Sequence, residues 1–325
     1  METPGVTPKC IAGFAALTNL TLGSDAEAAA RQQAAVVAGG LPCVVAALQE
    51  HPQNAQVQHA GCTTLANLTH GSDAEAAARQ QAAVGFGALP HVVAALQEHP
   101  QNAQVQGAGC TALANLTQGF DAAAAARQQA AVDGNALPHV VAALQAHKQD
   151  AEVQGAGCAA LLTLTHGSDE AAAARKQAAF DAGALPCVVA ALQAHPDVTR
   201  VQVKGSIALL AHLRSFATEV AARQVAPAAM QHIANAIRVT PASDPWQLNL
   251  RVTFCQLSAM LYNLPLHDEE LIQSLLGTEN QHATPCVALH VGLGNRRLRL
   301  LQTRVPQLQQ QQQQHNAADE HQHGG

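Results

Sequence analysis

The sequence predicts an all-α protein, an α-solenoid built from three-helix repeats with a period of 48 residues. Three observations carry this. Residues 23–36 (GSDAEAAARQQAAV) recur letter for letter at 71–84, and residues 44–58 (VVAALQEHPQNAQVQ) recur at 92–106, with the same offset in both cases. That offset also links Pro42 to Pro90, Pro138 and Pro186, Arg31 to Arg79, Arg127, Arg175 and Arg223, and Gly13 to Gly61, Gly109, Gly157 and Gly205. Composition agrees: about 70 alanines stand against one Trp, one Tyr and six Phe, too few rings for an aromatic-anchored core but well suited to close-packed helices.

The repeats divide the chain in order. Residues 1–22 hold a partial repeat, a third-helix remnant over Thr7 to Leu22. Four full repeats follow at 23–70, 71–118, 119–166 and 167–214. A degenerate fifth at 215–264 keeps the pattern through Arg223, then drifts where Gln231-His232-Ile233 replaces Leu-Pro-x-Val. Within a unit, the first helix is expected to open at Ser24 or Ser72, with Glu27 or Glu75 completing a capping box. It ends at glycines that tolerate a left-handed turn: Gly39-Gly40, Gly85 or Gly87, and Gly134. Leu-Pro starts the second helix, because proline in a first turn forfeits no hydrogen bond, and Val44, Val45 and Leu48 recur at helical spacing. The His-Pro-Gln-Asn segment at 51–54 breaks that helix. Asn54 or Asn102 then caps a third, Val57 to Thr69, with Val57, Leu65 and Leu68 as its buried stripe and Gly71 as its stop. Residues 265–305 read as an irregular helical cap for the end repeat. Residues 306–325, with six consecutive glutamines at 309–314, read as a disordered low-complexity tail.

Bulk properties exclude several functions. With 48% hydrophobic and 12% charged residues the body is expected to fold, and no apolar run approaches the roughly 18 residues of a membrane span. A net charge of −6 and only four lysines give no footprint for nucleic acid. No secretory signal is legible, and Glu2 stands where myristoylation needs glycine, so the expected location is cytoplasmic, with access to the nucleus left open. Eight cysteines without a CxxC pair read as reduced core thiols. There is no GxSxG, GxxxxGK or HExxH, so neither an enzyme nor a cofactor is expected. The remote alternative is an enzyme with its site in residues 240–305. There Asp268-Glu269-Glu270 is explained by a helix start, and Arg296, Arg297, Arg299 and Arg304 by a solvated face.

The segments Gly-Ala-Leu-Pro-His-Val-Val-Ala-Ala-Leu (87–96), Val105-Gln106 and Leu113-Ala114-Asn115-Leu116 resemble the armadillo repeat family, and the likeness covers roughly residues 7–240. The resemblance implies a right-handed superhelix whose third helices line a concave groove that binds a partner protein or extended peptide. It also implies that Asn19, Asn67 and Asn115 match the groove asparagine that hydrogen-bonds a ligand backbone. An Asn that satisfies neighbouring helix-end carbonyls is the alternative, since an amide donates and accepts at once. Nuclear-import adaptors of this family carry Trp four residues earlier; here the positions are Ala15, Thr63, Thr111 and Ala159. Without rings there is no cation–π recognition of a basic signal. The small neutral lining, with His59, Gly107 and Gly155 one turn earlier, suits a neutral or helical ligand.

Arginine, histidine and cysteine recur without such a guide. Glu27, Glu75 and Glu219 stand four residues before Arg31, Arg79 and Arg223, a favourable helical pairing worth roughly 0.2–0.5 kcal/mol. Arg127 and Arg175 face Ala123 and Ala171 instead; they read either as the arginines most available to an acidic partner or as solvated or loop-capping side chains. His51, His99, His147 and His195 form one column, and Cys43, His91, His139 and Cys187 another. Stacked layers lie about 8–10 Å apart, too far for one zinc ion, so no metal is expected. The expected function is a non-enzymatic interaction scaffold, monomeric or weakly self-associating. The alternative is a structural or regulatory solenoid that self-associates through its exposed end repeat.

Overall fold

A computed structural model describes residues 6–215, which form helices joined by short loops, with no strand among them. The degenerate repeat beyond Ser215, the C-terminal cap and the glutamine-rich tail lie outside the described residues. The first helices of the repeats are α2 (Ala26–Val37), α5 (Ala74–Gly85), α8 (Ala122–Asp133) and α11 (Glu170–Asp181). The second helices are α3 (Gly40–Glu50), α6 (Ala88–Glu98), α9 (Ala136–Ala146) and α12 (Ala184–Ala194). The third are α4 (Ala55–Leu68), α7 (Ala103–Leu116), α10 (Ala151–Leu164) and α13 (Thr199–Ser215), with α1 (Val6–Thr21) preceding them in the same row. Each row packs against its own kind in the next layer, and the third-helix row makes the broadest contacts. Three parallel rows of this sort make a solenoid.

Local chemistry sets the boundaries. The residue that opens each first helix is not Ser24 or Ser72 but the aspartate beside it. Asp25, Asp73, Asp121 and Asp169 accept from the backbone N–H of Ala28, Ala76, Ala124 and Ala172, each at 2.7 Å. This corrects the expected serine cap and its capping box. A carboxylate accepts the same bond and also meets the positive end of the helix dipole. The sequence holds the clue, because Phe120 interrupts the serine column while the aspartates continue. Asp121→Ala is expected to cost about 1 kcal/mol, readable as a lower midpoint in urea unfolding. Asn54 and Asn102 cap the third helices as expected, and Asp150 takes their place in the next layer. Between first and second helices the backbone turns left-handed at Gly39, Gly87, Asn135 and Gly183 (φ 85°, 85°, 63° and 83°). Gly134, expected at this turn, lies one residue too early: Asn135 makes it, as asparagine tolerates that region better than most side chains.

Inside each layer a leucine of the second helix presses on a glycine of the third. A Cβ built on Gly61, Gly109 or Gly157 would lie 2.6, 2.7 or 2.6 Å from Cδ2 of Leu48, Leu96 or Leu144. The expected stripe of Val57, Leu65 and Leu68 is fully buried. Cys62, Cys110 and Cys158 fill the same seam, and burial pushes their thiols up to about 12.

One side chain in this core is out of character. His212 of α13 occupies the place of Leu68, Leu116 and Leu164, is 1% exposed, and leaves its Nε2 without a partner while Nδ1 contacts the Ala208 carbonyl at 2.8 Å. Burial holds its pKa below the ordinary 6.5; the backbone contact with Ala208 opposes this in part, and the Lys176 charge adds a smaller push downward. The unfolded chain therefore binds this proton more readily than the folded one, and stability falls as pH drops through the unfolded value of about 6.5. His212→Leu is expected to reduce that slope, measured as the difference between urea midpoints at pH 7.5 and 5.5. His166, also lowered by burial, leaves a residual dependence of the same sign.

Candidate functional site

The third-helix row carries the polar positions that the sequence singled out. On α4, His59, Thr63 and Asn67 follow one another at four-residue spacing and so share a face, and all three are half-buried. On α7 the corresponding residues are Gly107, Thr111 and Asn115, and on α10 Gly155, Ala159 and Thr163. Thr63 and Thr111 donate their hydroxyls to the carbonyls of His59 and Gly107, each at 2.9 Å. The asparagines reach across layers: Asn67 Nδ2 donates to the Thr18 carbonyl at 3.4 Å, and Asn115 Nδ2 to the Ala66 carbonyl at 2.7 Å. Both therefore do satisfy neighbouring helix carbonyls. That bond occupies one N–H of each amide and leaves its carbonyl oxygen and second N–H for a further bond. Asn19 lies exposed at the first layer.

Two charged residues on this face escaped the sequence reading. The second residue of each third helix runs Gln56, Gln104, Glu152, Arg200. The Arg200 side chain lies across Gly155, its Cγ 3.1 Å from where a Cβ would stand, and its guanidinium extends to 3.5 Å from the Thr111 hydroxyl. Glu152 covers Gly107 in the same manner, with its Cγ 3.6 Å from the built Cβ. The glycines at 107 and 155 thus admit the long side chains of the following layer. The available signal was the change of residue type within an otherwise repeated column.

The arginines take the capping role and not that of partner-facing cations. Arg127 and Arg175 are 2% exposed and are not surface cations awaiting an acidic partner. Arg127 donates from Nε to the Leu116 carbonyl at 2.8 Å and from Nη2 to the Gln118 carbonyl at 2.8 Å and to Gln80 Oε1 at 2.9 Å. Arg175 repeats this on Leu164, His166 and Gln128, and Arg79 on Leu68, His70 and Gln32. Each guanidinium therefore closes the carbonyl end of a third helix, where the dipole is negative, and ties it to a glutamine one layer back. Those glutamines are themselves held, Gln80 and Gln128 donating to Thr69 and Thr117 at 3.1 Å. The Glu75 pairing proposed for Arg79 is a through-space attraction only: burial lowers the pKa of this guanidinium, and Asp73 and then Glu75 act against that. The local pair survives at Arg31, where Glu27 Oε2 lies at 3.9 Å.

The histidine column is likewise structural. Nε2 of His99, His147 and His195 meets the carbonyls of Pro52, Pro100 and Lys148 at 2.8, 2.8 and 2.9 Å, one layer back. Among the described residues no three His, Cys, Asp or Glu side chains converge on a point where a metal ion would sit. No single helix among them is long and apolar enough to cross a membrane.

A solenoid with three helices per layer, glycine-notched third helices and a continuous third-helix face is of the armadillo type. The family model of the LRRK2 ARM repeat matches residues 33–264. The chain belongs to that family. Neither the curated proteins nor the solved structures yield a match.

Proposed function

We propose that this protein is a non-enzymatic interaction scaffold that binds a partner protein or an extended peptide along its third-helix face. One observation carries the reading: His59, Thr63 and Asn67 of one layer and Thr111 and Asn115 of the next are half-buried and in register, so a chain laid across the layers meets amide groups at a fixed interval. The family membership supports a repeat scaffold with protein partners. The face carries no aromatic ring at positions 15, 63, 111 or 159, which favours a neutral or helical ligand over a basic signal. Glu152 and Arg200 add one charge of each sign.

The test places bulk and charge on the face without touching the core. Thr63→Arg with Thr111→Arg is expected to remove the partner set recovered by proximity labelling in cells, at unchanged expression and circular dichroism. An unchanged partner set contradicts the proposal and moves attention to the outer helices.

A further inference from the structure

Arg200 stands on the third-helix face against the local rules that explain its neighbours. It lies in the first turn of α13, where the positive end of the helix dipole opposes a cation. Glu152, its counterpart on α10, follows the dipole, and Gln56 and Gln104 are neutral. Arg200 is exposed, and among the described residues no carboxylate lies within ion-pair reach of its guanidinium. Its hydrogen bond, from Nη2 to the Thr111 hydroxyl, is long at 3.5 Å. Neither helix stability nor an ion pair accounts for a cation here.

The side chain is nevertheless laid down in one direction. A Cβ built on Gly155 would lie 3.1, 3.2 and 3.4 Å from Cγ, Cδ and Nε of Arg200, so the stem runs flat over α10 and a larger residue at 155 would displace it. The tip ends two layers back, on α7. There the Thr111 hydroxyl already donates to the Gly107 carbonyl, so toward Arg200 it accepts. A long side chain ordered in advance has less freedom to lose on binding. Of the five N–H donors in the guanidinium, one meets Thr111. Asn115, one turn further along the same face of α7, keeps its carbonyl oxygen and one N–H for a further bond. On either side the face continues: α4 carries His59, Thr63 and Asn67, and α13 carries Val203, Ile207 and Ala211 in the same columns. It passes from polar to apolar along the row.

We propose that Arg200 makes the third-helix face selective for an extended peptide segment with an internal Asp or Glu, whose carboxylate takes the guanidinium fork beside Thr111 while a backbone amide pairs with Asn115. This rests on the third-helix face as the binding surface. A planar fork meets a carboxylate through two parallel charge-assisted bonds, stronger than bonds to a neutral group. The acid is internal because the face extends beyond the fork in both directions. An aliphatic residue of the segment meets half-buried Ile207 two layers on, roughly 16–20 Å away, or about five or six extended residues. Glu152, whose stem covers Gly107, puts a negative charge on the same rim and disfavours a segment acidic throughout.

A random dodecapeptide library displayed on phage and selected on the full chain tests this specificity. The wild type is expected to enrich peptides with Asp or Glu at a fixed position. Arg200→Gln loses that preference, and Arg200→Glu replaces it with Lys or Arg, with circular dichroism unchanged in both. A synthetic copy of an enriched peptide is expected to bind about five- to tenfold more weakly when its acid is changed to the amide, and by the same factor to Arg200→Gln, with no further loss when the two changes are combined. Enriched peptides without an acid that Thr63→Arg with Thr111→Arg abolishes, or an acid preference that survives Arg200→Gln, overturn the role of Arg200 and leave the face as the binding surface. Enrichment indifferent to Thr63→Arg with Thr111→Arg, or no enrichment at all, overturns both.

Discussion

Arg127→Ala is expected to lower the unfolding free energy by about 3–5 kcal/mol, because each buried acceptor left without a donor costs about 1–3 kcal/mol. The acceptors are the Leu116 carbonyl, the Gln118 carbonyl and Gln80 Oε1, at 2.8, 2.8 and 2.9 Å. The loss falls on the joint between two layers. In a stack whose stability is a sum of layers and their interfaces, the urea transition is therefore expected to broaden or split as well as move. Arg127→Lys keeps the charge but not the planar fork, and is expected to recover only part of the stability. Arg31→Ala removes the same residue type at the first layer, where the side chain is 43% exposed, and is expected to cost far less. Equal effects at positions 31 and 127 would contradict the structural role of the buried arginines.

Gly109→Val is expected to cost about 1–3 kcal/mol by overpacking. The new side chain would start 2.7 Å from Leu96 Cδ2 and 3.1 Å from its Cγ, inside a helix pair that has no room to part. Gly13→Ala is expected to have the opposite sign, a gain of roughly 0.5–1 kcal/mol, since glycine inside a helix is the poorer residue and nothing lies within 4 Å. The two glycines occupy the same place in the repeat, so thermal denaturation of the two variants separates the effect of neighbours from that of sequence context. Destabilisation by both would mean that the first layer is covered as the inner ones are.

The helices, their rows and most of their stops were legible because letter-for-letter recurrence fixes the repeat and because proline, glycine and asparagine act locally. Asn54 and Asn102 cap the helices that follow them, as their position promised. The burial of Arg127 and Arg175 is not visible along one helix, for a physical reason. Pairing along one helix counts neighbours three or four residues away, but in a stack with a 48-residue period the neighbour one layer back is 46 or 47 residues away. Arg127 bonds Gln80 and Arg175 bonds Gln128 at that separation. The adjacent pairs Arg31-Gln32, Arg79-Gln80 and Arg127-Gln128 already carried the signal, and Lys176 marks where the column changes. Serine and aspartate stand side by side at three of the four first-helix starts and both can cap, so only the copy at Phe120-Asp121 separates them. The asparagines sit between these cases. Their cross-layer bonds appear only when the layers are assembled, and such bonds leave one N–H and the carbonyl oxygen of each amide for a ligand.

Under the proposed function, partners bind along the third-helix face while the buried arginine and glutamine columns hold the layers together. Site-specific photocrosslinking tests it most directly, with benzoylphenylalanine at half-buried Thr111 on α7 and, separately, at exposed Gln97 on α6. The expected result is covalent capture of a discrete partner from position 111 and none from position 97. Capture from 97 with none from 111 would contradict it.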